Sequence, residues 1–349
     1  MTIFDLIIAG QITAYWETMA EQREPYLGET LFPARKQLSL DLKWIKGAAG
    51  LPVALYPSAF DAKAIPIERQ GFDVLQAQMP FFKRSAYIDE EMRQQLNIMM
   101  DSGNQTLIDT VMNRVFDDEV RLLEGAAAQR ERMRMMALTT GAIAITANGQ
   151  SYAYDFGVPA SHKVETSVAW SNPAADIGAD IEAWMDKVEE DTGVRPTRAV
   201  CRSQTFKYFL QNEKFKKAIY ILSSGQATIT KDQMRQYISN NYGLDITTYD
   251  KKYLTEAGVA TFFVPEDTFV IFPTGNLGYT NFGTTPEESD LMSNPGIANV
   301  SITDTGVAVT TSKQVDPVQV ETKVSMVNLP SFEMADQIII ADVSNTDGV

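Results

Sequence analysis

Reactive side chains are scarce in this chain. It has one histidine, His162, and one cysteine, Cys201, so a Ser-His-Asp or Cys-His arrangement would have to use these singletons. A zinc site with two or more His or Cys ligands would need both of them, and carboxylates besides. No glycine-rich dinucleotide loop, phosphate-binding loop, HExxH pair or EF-hand spacing occurs in the sequence. Carboxylate chemistry remains, because 45 Asp and Glu residues always allow a pair to meet. Asp245, Asp250, Glu266 and Asp267 are the candidates for an acidic hydrolase working by general acid and general base. Against that, Glu266-Asp267 reads as a polar hairpin turn. Cys201, in the short apolar run from Arg198 to Arg202, reads as a small buried hydrophobe, and His162, in a polar loop, as a solvated side chain. The expectation is no catalytic residue, no cofactor and no metal.

The scaffold around these residues is large. Over 349 residues, 44% are hydrophobic and 21% charged, enough to bury one large core or two moderate ones and too apolar for compositional disorder. The formal net charge is -15. A protein that coats nucleic acid needs clustered Lys and Arg against the phosphates, so a DNA-coating role is not expected. No uninterrupted apolar run of about 18 residues predicts a membrane span. The start, Met1-Thr2-Ile3-Phe4-Asp5, lacks the basic region and cleavage site of a secretory leader. With a single cysteine, this predicts a chain made and kept in a reducing cytoplasm.

Along the chain, Thr2 can cap the run Phe4 to Ala9. Ile12 to Gln22 then puts Ile12, Tyr15, Trp16 and Met19 on one helical face, a stripe that suits docking on the chain's own core or on a neighbour. Leu38, Leu40, Leu42 and Trp44 alternate with polar residues between Gln37 and Lys46, the period of a half-buried strand. Residues 47 to 84 are rich in Gly, Ala and Pro, with strand-like pieces at Pro52 to Tyr56 and Gly71 to Met79. So long a connection is usually functional, and a projecting two-stranded loop fits it. Asp89 can cap a helix through Leu96. Ser102 and Gln105 have capping-box spacing ahead of a helix from about 104 to 138. Ile108, Met112, Val115, Leu122, Ala126, Met133 and Met136 form its stripe, interrupted by Glu119 and Gln129, and Gly141 can end it. Such a rod is roughly 50 Å long, and Gly125 in its middle suggests a bend or a close backbone approach. Arg130, Arg132 and Arg134, alternating with Glu131, read as a solvated or interfacial face.

Asn148-Gly149 between alternating runs predicts a hairpin. Ser171 or Asn172 is placed to cap a helix with Pro173 at its first position, running through Ile181, Trp184 and Val188 to Gly193. Two more helices are expected near Ser203 to Gln211 and Lys231 to Asn241, the second closed by Gly243. From Leu244 the chain reads mostly as strand, at Leu244 to Tyr249, Ala260 to Val264, Thr268 to Phe272, Gly306 to Thr311, Val318 to Asn328 and Gln337 to Val343. No internal repeat is visible, and the order predicts an α+β fold rather than a regular βαβ alternation.

In this order the segments resemble the phage lambda-like major capsid proteins, the capsid protein E family. Leu31-Phe32-Pro33 followed by an alternating strand and Val53-Ala54-Leu55-Tyr56 resembles the family's entry into its extended loop. Val111-Met112-Asn113-Arg114, Asp117-Asp118-Glu119 and Thr139-Thr140-Gly141 resemble its long helix and exit. Asp176 to Trp184 is similar to the start of its next domain. Phe263 to Thr268, Leu277-Gly278-Tyr279 and Thr285-Pro286-Glu287-Glu288 continue the likeness, which spans about residues 27 to 343.

The resemblance implies the Hong Kong phage (Johnson) capsid fold. Its parts would be an N-terminal arm (1–38), an extended E-loop (39–85), a peripheral domain with spine helix and hairpin (86–172), an axial domain (173–313) and C-terminal strands returning to the peripheral domain (314–349). It also implies the major head protein of a tailed bacteriophage, assembled in the host cytoplasm as pentamers and hexamers into an icosahedral shell, part of the virion. That shell would enclose double-stranded DNA without sequence-specific binding. Scaffolding protein, portal and decoration protein would be its partners, with no membrane. Tyr15 and Trp16 of the arm, and Trp44, Tyr56, Phe60, Lys63, Arg69 and Phe72 of the loop, become candidate inter-subunit contacts. Some capsids of this fold crosslink a Lys to an Asn of another subunit. Lys63 would be the candidate here, although a solvated Lys is the simpler reading. A cellular nanocompartment shell of the same fold is the runner-up, ahead of the hydrolase.

Overall fold

A computed structural model describes residues 8–20, 23–45, 74–101, 105–147, 149–223, 229–293, 299–314, 316 and 318–345. In chain order, the first section holds α1 (Ala9–Ala20), α2 (Leu27–Leu31), β1 (Ala34–Lys36), β2 (Asp41–Ile45), β3 (Val74–Gln78), β4 (Phe81–Ile88), α3 (Glu90–Asp101) and α4 (Gln105–Thr140). The middle holds β5 (Ala142–Ala147), β6 (Gln150–Asp155), a 3-10 turn (Ala160–His162), β7 (Lys163–Glu165), α5 (Ile177–Thr192), β8 (Arg198–Cys201), α6 (Ser203–Gln211), α7 (Glu213–Ser223) and α8 (Lys231–Tyr242). The last section holds β9 (Asp245–Thr248), β10 (Lys252–Leu254), β11 (Ala260–Phe262), β12 (Thr268–Phe272), β13 (Thr280–Phe282), α9 (Pro286–Ser293), β14 (Asn299–Thr303), β15 (Val307–Lys313), β16 (Val320–Pro330) and β17 (Ile339–Asp342). The α+β expectation is met.

The chain divides into two compact units. Unit 1 comprises residues 1–42, 76–133 and 279–330, and unit 2 residues 43–75, 134–278 and 331–349, so the boundary falls within α4. β2 and β3 pair with each other in a two-stranded sheet.

Unit 1 is built on β16. Residues 320–327 of that strand pair antiparallel with β4 on one side and residues 320–326 with β15 on the other, and β14 follows β15. Its last residues pair with β13, which carries β1 in parallel. Residues in register share a face and alternate along each strand, so Val320, Thr322, Val324 and Met326 form one row with Ile88, Ala86, Arg84 and Phe82. Apolar members of that row pack with Ile12 and Trp16 of α1 and with Val120, Leu123 and Ala127 of α4.

Unit 2 holds the sheet β7-β17-β12-β8-β9. Its core centres on Trp170, stacked 5.6 Å from Trp184 and within 5.2 Å of the Phe209 ring and 5.0 Å of Phe269. The indole N–H of Trp170 donates to Asp180 at 2.9 Å, so this polar group is satisfied inside an apolar cluster.

α4 spans 36 residues, about 54 Å, close to the predicted rod. Gly141 follows it with φ 72, and a Cβ there would lie 2.7 Å from Val158, so both backbone and space require glycine. Gly125 differs. It is exposed, and a Cβ would meet nothing within 4 Å, so of the two readings, a bend or a close backbone approach, the close approach is not made among the described residues. Gly125→Ala should therefore raise stability by about 1 kcal/mol, measured by chemical denaturation; an unchanged or lower midpoint would contradict this.

The hairpin falls where predicted, as β5 and β6 around Gly149; Asn148 and Ser102 lie outside the described residues. α5 starts later than expected. Asn172 closes a turn by accepting from Ala174, and Asp176 takes over as N-cap, accepting from Ala179. The alternating run from Gln37 shrinks to β2: Leu42 is buried, but Leu38 is 77% exposed and Leu40 48%. The C-terminal strands do not stay together. β16 belongs to the sheet of unit 1, whereas β17 pairs with β12 and β7 in unit 2. Residue 278, where unit 2 gives way to unit 1, lies within the expected axial segment 173–313.

Candidate functional site

Of the eight candidate contacts, Tyr56, Phe60, Lys63, Arg69 and Phe72 lie outside the described residues. Trp44 lies in β2. Tyr15 and Trp16 come together on α1, and there the chain makes detailed use of its own arm. Trp16 is 2% exposed, its indole N–H donates to Asp304 Oδ1 at 3.1 Å, and the Arg23 guanidinium lies 4.3 Å over its ring while pairing with Glu124. The half-buried Tyr15 donates to Asp117 at 2.9 Å, and Thr13 shares a 3.0 Å hydroxyl–hydroxyl bond with Ser301 of β14. Within one copy, then, Trp16 leaves a neighbour almost no surface.

Asp304 is the centre of this arrangement, and it was not singled out in the sequence. Its Oδ2 accepts from Arg130 of α4 at 2.7 Å, so one carboxylate ties α1, α4 and the β14–β15 turn. Asp304 and Thr305 both adopt left-handed backbone, φ 46 and 71, a primed hairpin turn that Asp accommodates and the β-branched Thr rarely takes. Gly306 follows because a Cβ there would press on the Phe282 side chain at 2.8 to 3.1 Å. The run Asp304-Thr305-Gly306 was the available signal.

The Arg cluster is not a solvated face. Arg130, Glu131 and Arg134 are 5%, 0% and 3% exposed, and Glu131 accepts the Gly28 N–H at 3.0 Å, holding α2. The family-like Thr285-Pro286-Glu287-Glu288 opens α9. Thr285 accepts the Glu288 N–H at 3.2 Å, Glu288 pairs with Lys36 at 2.5 Å, and Glu287 takes Lys323 at 2.6 Å and the Ser325 hydroxyl at 2.9 Å. Burial pushes the Glu287 carboxyl up, but Lys323 and its hydrogen bonds outweigh that and hold it below the usual range.

The hydrolase candidates all have structural partners. Asp245 accepts from Ser239 at 2.7 Å, Asp250 accepts the Ser203 N–H at the start of α6 at 3.0 Å, Glu266 pairs with Arg202 at 3.2 Å, and Asp267 accepts from Tyr208 at 2.9 Å. Cys201 is fully buried, which pushes its thiol up. His162 is not solvated: it is 1% exposed, with Nε2 3.0 Å from Asp191. Lys187 first, then His162, hold the Asp191 carboxyl below its usual range. Among the described residues no His, Cys, Asp and Glu cluster could hold a metal, and no helix is long and apolar enough to cross a membrane.

Three solved structures share this architecture along nearly the whole chain. A prophage protein of E. coli CFT073 assigned as a capsid protein aligns with a TM-score of 0.61 at 15% identity, covering 97% of this chain and 99% of that one. A phage-related protein of Bordetella bronchiseptica RB50 gives 0.54 at 13% identity and 97% of each chain. The capsid of cyanophage A-1(L) gives 0.50 at 12% identity and 92% of each. The fold is that of phage capsid subunits. Residues 9–343 match the family described as phage major capsid protein E, and the chain belongs to that family. A search of curated proteins found no match. The family is a structural one, and membership puts the chain among the shell-forming proteins of phage heads.

Proposed function

We propose that this chain assembles as pentamers and hexamers into the icosahedral head of a tailed phage, enclosing double-stranded DNA and doing no chemistry of its own. The observation that carries this is the family match over residues 9–343. Unit 2 serves as the axial body around each ring and unit 1 as the peripheral body, with the loop between residues 45 and 74 lying on an adjacent subunit. Each contact of this kind is modest, but a subunit makes several at once, and multivalency supplies the stability of the closed shell. The net charge of -15 keeps free subunits apart and suits a wall that confines DNA without neutralising it. Scaffolding protein, portal and decoration protein complete the head, and assembly takes place in the host cytoplasm. The phage family match favours this over a cellular nanocompartment.

The test is expression of the full chain with and without a scaffolding protein, followed by negative-stain imaging. Shells, rings or tubes are expected. A monodisperse small monomer at high concentration with scaffold present would overturn the proposal.

A further inference from the structure

Glu119 is a buried carboxyl that the contacts described above leave unused. It lies on the face of α4 that carries Val120 and Leu123, is 3% exposed, and has an Oε2 without a hydrogen-bond partner among the described residues. It forms no ion pair among them either. Beside it is Thr322 of β16, 0% exposed on the row that faces the helix. The cross-strand partners of Thr322 on that row are Ala86 and Thr311, both uncharged.

The charged groups nearby are placed elsewhere. Arg84 of β4 and Lys313 of β15 share the row, but farther along and exposed. Glu321 and Lys323, flanking Thr322, fall on the opposite face, where Glu321 accepts from Tyr87 and Lys323 pairs with Glu287. Tyr15 of α1 reaches Asp117 instead, and on α4 itself the adjacent Asp118 is acidic and pairs with Arg121. A carboxylate here is buried without compensation, whereas a carboxylic acid is neutral and can donate to a neighbour.

We propose that Glu119 is a proton-operated release: protonated, it lets α4 from Phe116 to Ala127 stay docked on the β4–β16–β15 face, and ionised it loosens that segment. The proposal concerns the chain itself and holds whether or not shells form. Burial pushes the Glu119 carboxyl up from 4.5 to about 7; Thr322 favours the charged form and Asp118 opposes it. The docked state thus keeps its proton where an opened, solvated Glu119 has lost it. Docking is firmest in mild acid, weakens as pH rises through the interval between the two values, and levels off above about 7.

Hydrogen exchange of the full-length chain, read by mass spectrometry and corrected for the intrinsic pH dependence of exchange, tests this. Between pH 6 and 8.5, opening of residues 116–127 should rise about tenfold, while residues 181–188 of α5 stay level. Glu119→Gln should keep the segment protected at both pH values. Thr322→Val, which removes the group favouring the charged form, should raise the docked value, so the onset stays where it is and opening levels off only at higher pH. Protection that ignores pH in the unaltered chain, the same pH response in Glu119→Gln, or an equal rise in α5 would each overturn the proposal.

Discussion

Asp304→Ala should destabilise unit 1 by about 3 kcal/mol, the lower end of what breaking a buried ion pair costs, because the Asp304 side chain keeps 27% of its exposure. Arg130, with a side chain only 6% exposed, would be left as a buried charge without this partner. The Trp16 indole N–H would lose its acceptor at the same moment. Alanine also tolerates φ 46 less well than aspartate, whose short polar side chain makes the left-handed conformation less costly. Asp304→Asn retains the turn preference and an acceptor for Trp16 and loses only the charge, so its cost should be smaller. Chemical denaturation supplies the energies. Limited proteolysis adds location: cleavage between α1 and α2 should become the first event in the alanine variant. A loss below about 1 kcal/mol, or unchanged proteolysis of the arm, would show that Asp304 does not hold it.

Periodicity and end signals made the helices legible. The stripe of α4, the hairpin at Gly149, and the closing of α5 and α8 by Gly193 and Gly243 are local features, and local physics decides them. The misses are where tertiary packing decides. β4 read as the end of the loop because Arg84 interrupts its helix-facing row, although pairing with eight residues of β16 makes it a principal strand. β14 has Thr and Ser where an apolar row was sought, and Ser301 is there to bond Thr13 of α1. α7 went unread although Asn212 announces it, its side-chain oxygen accepting the N–H groups of Lys214 and Phe215. His162 was assigned to solvent and the Arg130–Glu131 stretch to a solvated or interfacial face by residue type, whereas their burial follows from partners in the fold, among them Asp191, Asp304 and Gly28. The candidate contacts were chosen as aromatic and basic residues of the arm and loop. That criterion identifies groups that seek a partner, but it cannot say whether the partner is the same chain, and for Trp16 the chain supplies one.

Replacing residues 46–73 by a short Gly/Ser linker should leave both units folded and abolish closed shells. The excision has to stop at 73. Met79 is 4% exposed, its N–H donates to Leu40 O at 3.0 Å, and its methyl lies over Gly283, where a Cβ would come within 2.7 Å of it. A deletion running to residue 80 would therefore remove part of the core of unit 1 and confuse misfolding with failed assembly. With β2, β3 and Met79 retained, the clusters around Trp170 and around Val324 lose none of their described members. The denaturation midpoint should then stay within about 0.5 kcal/mol of the intact chain, as for changes away from packed features. Assembly is a different quantity. Removing one of several weak contacts acts on the product of all of them, so its effect multiplies over every subunit in the shell. Negative-stain images should show monomers or small rings in place of shells. Intact shells from the shortened chain would mean that the segment is dispensable for closure, and an unfolded product that it belongs to the core of a unit.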